Sequence, residues 1–550
     1  MKRGEEIRGT VARVDFPNKG IFEAEGKRVT VKGARPGEEV LARIRKNRED
    51  SAEASLLEVL TPSPLQTEDA CPHFGICGGC YYQGFPARTQ LDIKEAQVRR
   101  LLERAAGGPL PFESAKPAPS PCGYRNKMEF SFGDAEKGGE ITLGLHRKGS
   151  FYDVIDVPDF EICDADFSLA AAVTRQWARE YELPYYHKGT KRGYLRHLLV
   201  RKSRASGEVL LGLVTTSQTE DLPETEEGML FMLALALKNA PWCGSLAGIL
   251  HIVNDSPADA VLCDRMELLY GQDHITEEVL GLRFDIGPFS FFQTNTAGAE
   301  VLYRVVRDYA GETAGRRIFD LYSGTGTIAQ ILAPVAESVT GVEIVEEAVA
   351  AARTAAARNG LNNCTFIAGD VLKVLSDLPE GPDVMVLDPP RDGIHPKALP
   401  GLIAFGAPVI VYVSCKPTSL ARDLPLFIAA GYQVKRVCVV DLFPGTTGIE
   451  TVCLLVLRNP VTHINIDVDV EELVQDKRGQ ATYEQIREYV KEQTGLHVTN
   501  LNIAQIKRKC GIIERENYNL PKSEDSKQPN CTKEKEEAIK DAFRHFGIIS

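Results

Sequence analysis

The sequence predicts an α/β protein: a small β-barrel, a mixed central region, a mostly parallel doubly wound sheet and a short helical extension. Three observations predict it. Strand and helix patterns alternate from about residue 285 to residue 458, the mark of a parallel sheet with helices on both faces. Residues 1 to about 61 read as short strands that alternate in period two and break at Gly, Asn or Pro. Beyond Arg458 the pattern turns short, polar and helical.

Composition sets the outer limits. With 550 residues, 43% apolar and 25% charged, the chain can bury several cores and needs no disulfide staples. Lys and Arg number 64 against 76 Asp and Glu, a net charge of −12, which argues against a nucleic-acid binder unless basic residues are clustered locally. The start, MKRGEEIRGT, has no apolar core of a secretory signal. The longest apolar run, Met229 to Leu237, falls well short of the roughly 20 residues of a membrane span. A cytoplasmic, reducing location is expected, with no membrane partner. There the 13 cysteines would be buried, metal-bound or catalytic rather than paired.

In chain order, VARVDF, IFEAEG, KRVTVKGA and EEVLARIRK supply the barrel strands. LARIRKNR clusters Arg43, Arg45, Lys46 and Arg48, either a solvated strand face or a phosphate-tracking surface. TPSPL is a linker, and TQLDIKEAQVRRLLERA a helix. From about 111 to 280, strands KMEFSFGD, ITLGLHR, LRHLLVRKS and EVLLGLVTT mix with helices LAAAVTRQWAREY and GMLFMLALALKNA. The doubly wound region opens on helix NTAGAEVLYRVVRDYA and strand RRIFDLY, and closes on strands VKRVCVVDLFP and ETVCLLVLR. TYEQIREYVKEQTG and NLNIAQIKRKCGI read as two helices around a turn, followed by a polar stretch and a last helix. This is either a helix-turn-helix-like module or an interaction tail.

Three motifs carry chemistry. CPHFGICGGC spaces Cys71, Cys77 and Cys80 with Gly75, Gly78 and Gly79 between them. Thiolates bind soft metals, and glycines let backbone wrap a centre. Zinc and an iron–sulfur cluster both fit, with Cys122 or Cys163 as the fourth ligand. DLYSGTGTIA is a glycine-rich strand-to-helix turn, with Asp320 before it, Glu343 about 20 residues on to meet ribose hydroxyls, and Asp370 ending the next strand. It is not GxGxxG, so a nicotinamide dinucleotide fits less well than S-adenosylmethionine, which has no pyrophosphate to seat.

The third motif is a pair of strand ends, LDPPR (Leu387 to Arg391) and VYVSCKP with Cys415, where open α/β sheets hold ligands. DPP motifs also suit amine methylation, which needs no thiol. Carbon-5 of a pyrimidine does need one: it is too weakly nucleophilic until a thiolate adds at carbon-6. The reaction then requires one Cys and one base, and Glu450 on the loop entering the last strand is the best base candidate. A non-catalytic RNA-binding factor would need neither residue.

With these residues in place, the chain resembles the RNA uracil-5 methyltransferases, and among them the large-subunit (23S) ribosomal RNA type with an N-terminal TRAM domain and a 4Fe-4S cluster. CPHFGICGGC, FFQTN, DLYSGTGT, LDPPR, VSCKP and DLFP…IE occur in the family's order over roughly residues 5 to 458. The resemblance implies a TRAM domain at 1–61, a central cluster-bearing domain at 62–284, a Rossmann-like methyltransferase domain at 285–458 and an extension at 459–550. It implies that Cys71, Cys77, Cys80 and Cys163 ligate the cluster. Gln293, Tyr322, Glu343 and Asp388 would contact S-adenosylmethionine, Cys415 would be the nucleophile and Glu450 the base. Ribosomal RNA is the expected substrate ahead of transfer RNA, whose enzymes typically lack the first two segments, and a monomer is expected. Two departures stand out. Gly448 lies where the family usually has His, two residues before the base, and the extension has no counterpart in the pattern. RNA affinity is expected from LARIRKNR, YRNK and LRHLLVRKSR.

Overall fold

The computed structural model describes residues 1–68, 71–258, 260–311, 315–377, 381–458, 483–494, 496–510 and 532–546. They fall into two units, Met1–Val461 and Thr462–Ser550. The first unit begins with a curled six-stranded sheet: β1 (Glu6–Thr10), β2 (Arg13–Asp15), β3 (Lys19–Ala24), β4 (Lys27–Lys32), β5 (Glu39–Asn47) and β6 (Ser51–Thr61), in the order β1-β5-β6-β4-β3-β2. Its two edge strands are separated in the chain by Val11 and Ala12 alone. The Val11 N–H donates to Glu38 O and the Ala12 N–H to Ile21 O, each at 2.9 Å, so one bent strand bonds to both edges. The curl encloses Phe22, Val29, Val31, Val40 and Ile44. Gly9 permits it, since a Cβ there would stand 2.2 Å from the Phe22 ring.

After the cysteine segment comes α1 (Ala87–Ala106), ended by Gly107 in the left-handed region, and then the short β7 (Lys116–Pro117). The central sheet uses β8 (Lys127–Asp134), β9 (Ile141–His146), β10 (Val154–Ile155), β11 (Leu195–Lys202), β12 (Glu208–Thr215), β13 (Ser245–Val253) and β14 (Arg265–Gly271) in the order β10-β9-β8-β11-β12-β13-β14. It is packed by α2 (Ala165–Glu180) and α3 (Glu226–Lys238), and a hairpin of β15 (Ile275–Val279) and β16 (Leu282–Ile286) follows.

The last sheet of this unit is the one expected from the alternation. It contains α4 (Thr296–Ala310), β17 (Arg317–Leu321), α5 (Thr327–Leu332), β18 (Ser338–Glu343), α6 (Glu346–Arg358), β19 (Cys364–Ala368), α7 (Val371–Asp377), β20 (Val384–Leu387), α8 (Leu399–Ala404), β21 (Val409–Ser414), α9 (Pro417–Ala429), β22 (Tyr432–Asp441) and β23 (Glu450–Leu457). The order is β19-β18-β17-β20-β21-β23-β22-β7, parallel from β19 to β21, with β23 antiparallel to both β21 and β22. One face packs on α4, α5 and α6. The other packs on α8, α9 and Leu91, Val98 and Leu102 of α1, while β7 extends the far edge. Residues 87–117, expected in the central domain, thus share the core of the sheet at 285–458.

LRHLLVRKSR is not an RNA surface. Burial on both faces of β11 turns its arginines inward. Arg196 is 4% exposed and donates to the carbonyls of Asn254, Ser256 and Ala258. Arg201, 2% exposed, donates to the carbonyls of Pro288 and Ser290, and Lys202 pairs with Asp164 and Asp166 at 2.7 Å. YRNK is also largely internal: Tyr124 is buried, Asn126 holds the backbone at Gln293, and Lys127 pairs with Glu129. On LARIRKNR, Arg43 pairs with Glu6, while Lys46 and Arg48 both face Glu53, as on a solvated strand.

In the second unit α10 (Tyr483–Thr494), α11 (Asn500–Lys509) and α12 (Lys533–His545) gather around Ile486, Val490, Ile503, Ile506, Ile539 and Phe543. Most of the polar stretch before the last helix lies outside the described residues. No helix among the described residues is long and apolar enough to cross a membrane.

One buried ion pair joins the N-terminal part to the last sheet: Lys94 Nζ of α1 lies 2.7 Å from Asp441 Oδ1 at the end of β22, the side chains being 1% and 3% exposed. Burial pushes the Lys94 ammonium below its ordinary range, and Asp441 opposes the shift. Lys94→Met should destabilise the fold by about 3–5 kcal/mol by stranding a buried carboxylate, while Lys94→Met/Asp441→Leu should cost less. Thermal unfolding of both variants checks this. A wild-type midpoint for the single variant would contradict it.

Candidate active site

The site forms at the carboxyl ends of β17, β18, β20 and β21. After Leu321 the chain turns sharply, and Tyr322, Gly324 and Gly326 all take positive φ, 67°, 53° and 73°. A side chain at Gly326 would stand 2.4 Å from the Phe366 ring, so this glycine lets α5 start close to the sheet. Tyr322 holds the strained region without being glycine, a cost of about 1–3 kcal/mol that tends to mark ligand-holding turns. Glu343 ends β18 and locks the turn: its carboxylate accepts from Gly324 N at 3.0 Å and from Ile344 N and Val345 N at 2.9 and 3.0 Å. Asp320 is fully buried and accepts from Ala329 N at 2.9 Å through Oδ2. Its Oδ1 and the Ser323 hydroxyl are buried without a hydrogen-bond partner among the described residues. Such orphaned acceptors suit a pocket that receives a polar ligand.

Beside this turn is a reactive corner. β21 and β23 pair antiparallel with Ser414 opposite Thr451, and one residue further the register sets Cys415 across from Glu450. Asp388 follows β20 next to them. Burial pushes the Cys415 thiol up to about 11, helped by the charges of Glu450 and Asp388 and opposed by Arg391. Burial raises Glu450 well above the usual carboxylate range, with Asp388 adding and Arg391 opposing. Burial alone takes Asp388 to about 7, and burial with Asp388 and Glu343 takes Asp320 to about 8. Tyr303 of α4 is buried within the field of Asp388, Glu450 and Asp320, and burial first, then these charges, raises its hydroxyl.

Gln293 lies on the segment entering α4. Asn126 Nδ2 donates to its carbonyl at 3.0 Å, and Asn295 caps the helix by accepting from Gly298 N at 2.9 Å. The loop from β22 to β23 delivers Glu450, and seven hydrogen bonds brace it. Lys94 Nζ donates to Asp441 Oδ1 and to Phe443 O (3.1 Å), Asn295 Nδ2 to Leu442 O (2.6 Å), and Tyr124 OH to Pro444 O (2.7 Å). Gly445 N donates to Gln90 Oε1 (2.6 Å), while Tyr81 N and Tyr82 N donate to Gly445 O (2.7 and 2.8 Å). Sequence reasoning missed Lys94, because a lysine in an amphipathic helix reads as solvated. At Gly448 a Cβ would stand 2.9 Å from the Phe443 ring, so the histidine usual in the resembled family needs Phe443 to move.

The cysteines group as the spacing suggested. Cys71, Cys77 and Cys80 line one narrow pocket with Phe74, Gln83, Leu145 and Phe160. Burial pushes the Cys80 thiol up to about 11, with the charges of Cys77 and Cys71 adding to it. Cys163 also lies in the field of Cys80 and is raised by burial, whereas Cys122 is exposed. Among the described residues no three His, Cys, Asp or Glu side chains are arranged to hold a single metal ion. The segment is wedged in place: Arg35 donates to Gln83 O at 3.0 Å and stacks 4.9 Å from the Phe74 and Phe85 rings, and Tyr81 OH donates to Ala34 O.

Comparison with known proteins agrees with this geometry. A methyltransferase domain model matches residues 312–425. An uncharacterized RNA methyltransferase of Clostridium tetani is 46% identical over 453 residues, covering 82% of this chain and 98% of its own. Another, from Caldanaerobacter subterraneus, is 46% identical over 459 residues, covering 83% and 99%. The crystal structure of Pyrococcus abyssi tRNA (uracil-54, C5)-methyltransferase with S-adenosyl-L-homocysteine superposes with a TM-score of 0.63 at 25% identity, covering 82% of this chain and all of that one. On relatives matched over nearly their whole length, the chain belongs to the RNA methyltransferase family.

Proposed function

We propose that the protein methylates carbon-5 of a uridine in RNA, with S-adenosylmethionine as methyl donor. The observation that carries the reading is the register that sets Cys415 across from Glu450 beside Asp388. The donor, when bound, supplies an electrophilic methyl group. Tyr322, Glu343, Gln293 and Asp388 would hold it, and the orphaned Asp320 and Ser323 oxygens fit a polar occupant of that crevice. Cys415, having given its proton to solvent, adds as the thiolate to carbon-6 of the uracil, and the displaced electron pair makes carbon-5 nucleophilic toward the donor's methyl group. Once carbon-5 is methylated, Glu450 takes its remaining proton and the carbon–sulfur bond breaks. The raised proton affinity of Glu450 suits a base. Its protonation also removes a charge that disfavours the Cys415 thiolate, which eases departure of the sulfur.

Ribosomal RNA is the proposed substrate on the resemblance of the motifs, although the Pyrococcus abyssi transfer RNA enzyme covers 82% of this chain, so the curled sheet and the cysteine segment do not by themselves separate the two substrates. Transfer RNA is the second reading, favoured by full coverage of the Pyrococcus abyssi enzyme. We also propose that the curled six-stranded sheet is a TRAM domain and that Cys71, Cys77, Cys80 and Cys163 hold a 4Fe-4S cluster, the enzyme working as a cytoplasmic monomer. Cys71, Cys77 and Cys80 line one pocket and Cys163 lies in the field of Cys80, a grouping of thiols that supports the reading; in such a cluster each cysteine would bind its own iron. Bonding to a cluster would offset the burial that raises Cys80 and Cys163.

Three measurements test these readings. With labelled donor and ribosomal or transfer RNA, Cys415→Ala should lose about a thousandfold or more in rate. Glu450→Gln should accumulate a denaturation-stable protein–RNA adduct, and full activity in Cys415→Ala would sink the mechanism. In the free protein, alkylation at Cys415 should rise about tenfold per pH unit toward its pKa. Because Arg391 favours the thiolate, Arg391→Ala should slow alkylation at fixed pH, and a flat pH profile would exclude the raised thiol. Protein purified anaerobically should be brown and carry iron and sulfide, and Cys163→Ser should reduce both. Colourless protein with stoichiometric zinc would contradict the cluster.

A further inference from the structure

We infer that two loops of the central sheet form a platform that stacks unpaired bases of the RNA substrate, outside the catalytic crevice. The inference deepens the proposed function and rests on its RNA substrate. The first loop joins β9 to β10 with the sequence RKGSFYD, and the second, YHKGTKR at 186–192, precedes β11. Phe151 and Tyr152 at the first tip are 61% and 63% exposed, unusual for large rings, and meet edge to face at 5.5 Å. His146 lies nearly parallel to Phe151, at 9° and 6.4 Å. Lys188 brings the second loop against the first, its ammonium 4.3 Å from the centre of the Phe151 ring.

Charge selects the occupant. Together the two loop sequences carry Arg147, Lys148, Lys188, Lys191 and Arg192 with one acidic residue of their own, Asp153, 3.7 Å from Arg147. In a chain of net charge −12 this is a local reversal of sign. Exposed rings with a fringe of cations match unpaired RNA, whose bases stack on aromatic faces while its phosphates meet Lys and Arg.

The tips are held in place. Lys148 N donates to Ile76 O at 2.7 Å and Arg147 bridges Cys77, so the first loop is pinned to the cysteine segment. The second is closed by the His187–Arg192 bridge and by Thr190 N donating to His187 Nδ1 at 3.1 Å. The cysteine segment that pins the platform also bonds Gly445 on the loop carrying Glu450, so one element braces both surfaces.

Equilibrium binding of a fluorescent unpaired RNA of about 15 nucleotides and of a duplex of equal length tests the platform without turnover. Phe151→Ala/Tyr152→Ala should weaken unpaired RNA about tenfold and the duplex much less. Lys148→Glu/Arg192→Glu should weaken both and make the salt dependence shallower by about one to two in log–log slope. In methylation assays both variants should raise KM and leave kcat within about twofold, with unchanged thermal midpoints. Wild-type affinity for unpaired RNA in the folded ring variant, or equal losses on both RNAs, would overturn the proposal. Failure of uridine methylation with these binding differences intact would overturn the reaction and leave the platform standing.

Discussion

The Lys94–Asp441 pair is the constraint on which most of the first unit depends. A lysine 1% exposed is tolerable only beside a fixed carboxylate, and this carboxylate ends the strand from which the Glu450 loop departs. The loop is then held from four directions: by α1, by the cysteine segment, by Tyr124 and by Asn295 at the head of α4. These anchors come from parts of the chain hundreds of residues apart. A base on an exposed loop would sample many positions. Here its position is set by buried polar contacts, each costly to break.

The electrostatics of the crevice follow from this close packing. Asp320 and Glu450 are buried and Asp388 is half-buried; exclusion of water makes each resist ionisation, and like charges nearby add to this for Asp320 and Glu450. Arg391 counters this for Glu450 and for Cys415. Such a cluster is unfavourable when empty and favourable toward a cation. A sulfonium donor carries a positive charge and its demethylated product does not, so the same carboxylates would hold the donor more strongly than the product. The cost of burying them would be recovered in preference between two nearly identical ligands.

How far the sequence was readable depended on whether the signal was local. The doubly wound sheet was legible because each strand and helix carries its own periodicity, and Cys71, Cys77 and Cys80 because their spacing is short. Strands β6, β13 and β14 were not read: SAEASLLEVL and SLAGILHIV mix small and large apolar residues without clean alternation. Arg196 and Arg201 looked like an RNA surface, since a basic run does not disclose that loop carbonyls far along the chain will accept its donors. Lys94 was invisible for the same reason. Cys415 and Glu450 were legible as chemistry, but the register that opposes them is a property of the folded sheet.

The sharing of one core between α1, β7 and the last sheet also bears on how this architecture can change. A catalytic region beginning at residue 285 looks like a module that could be cut out, fused elsewhere or exchanged. Yet Leu91, Val98 and Leu102 share one core with α9 and β22, and an excised module would present the apolar surface they pack on to water. Recombination that separates α1 from the sheet at 285–458 is therefore penalised. The unit beyond residue 461 has a core of its own among the described residues, built on Ile486, Val490, Ile503, Ile506, Ile539 and Phe543. A segment with a core of its own is the kind that a chain can acquire or discard without opening another core to water.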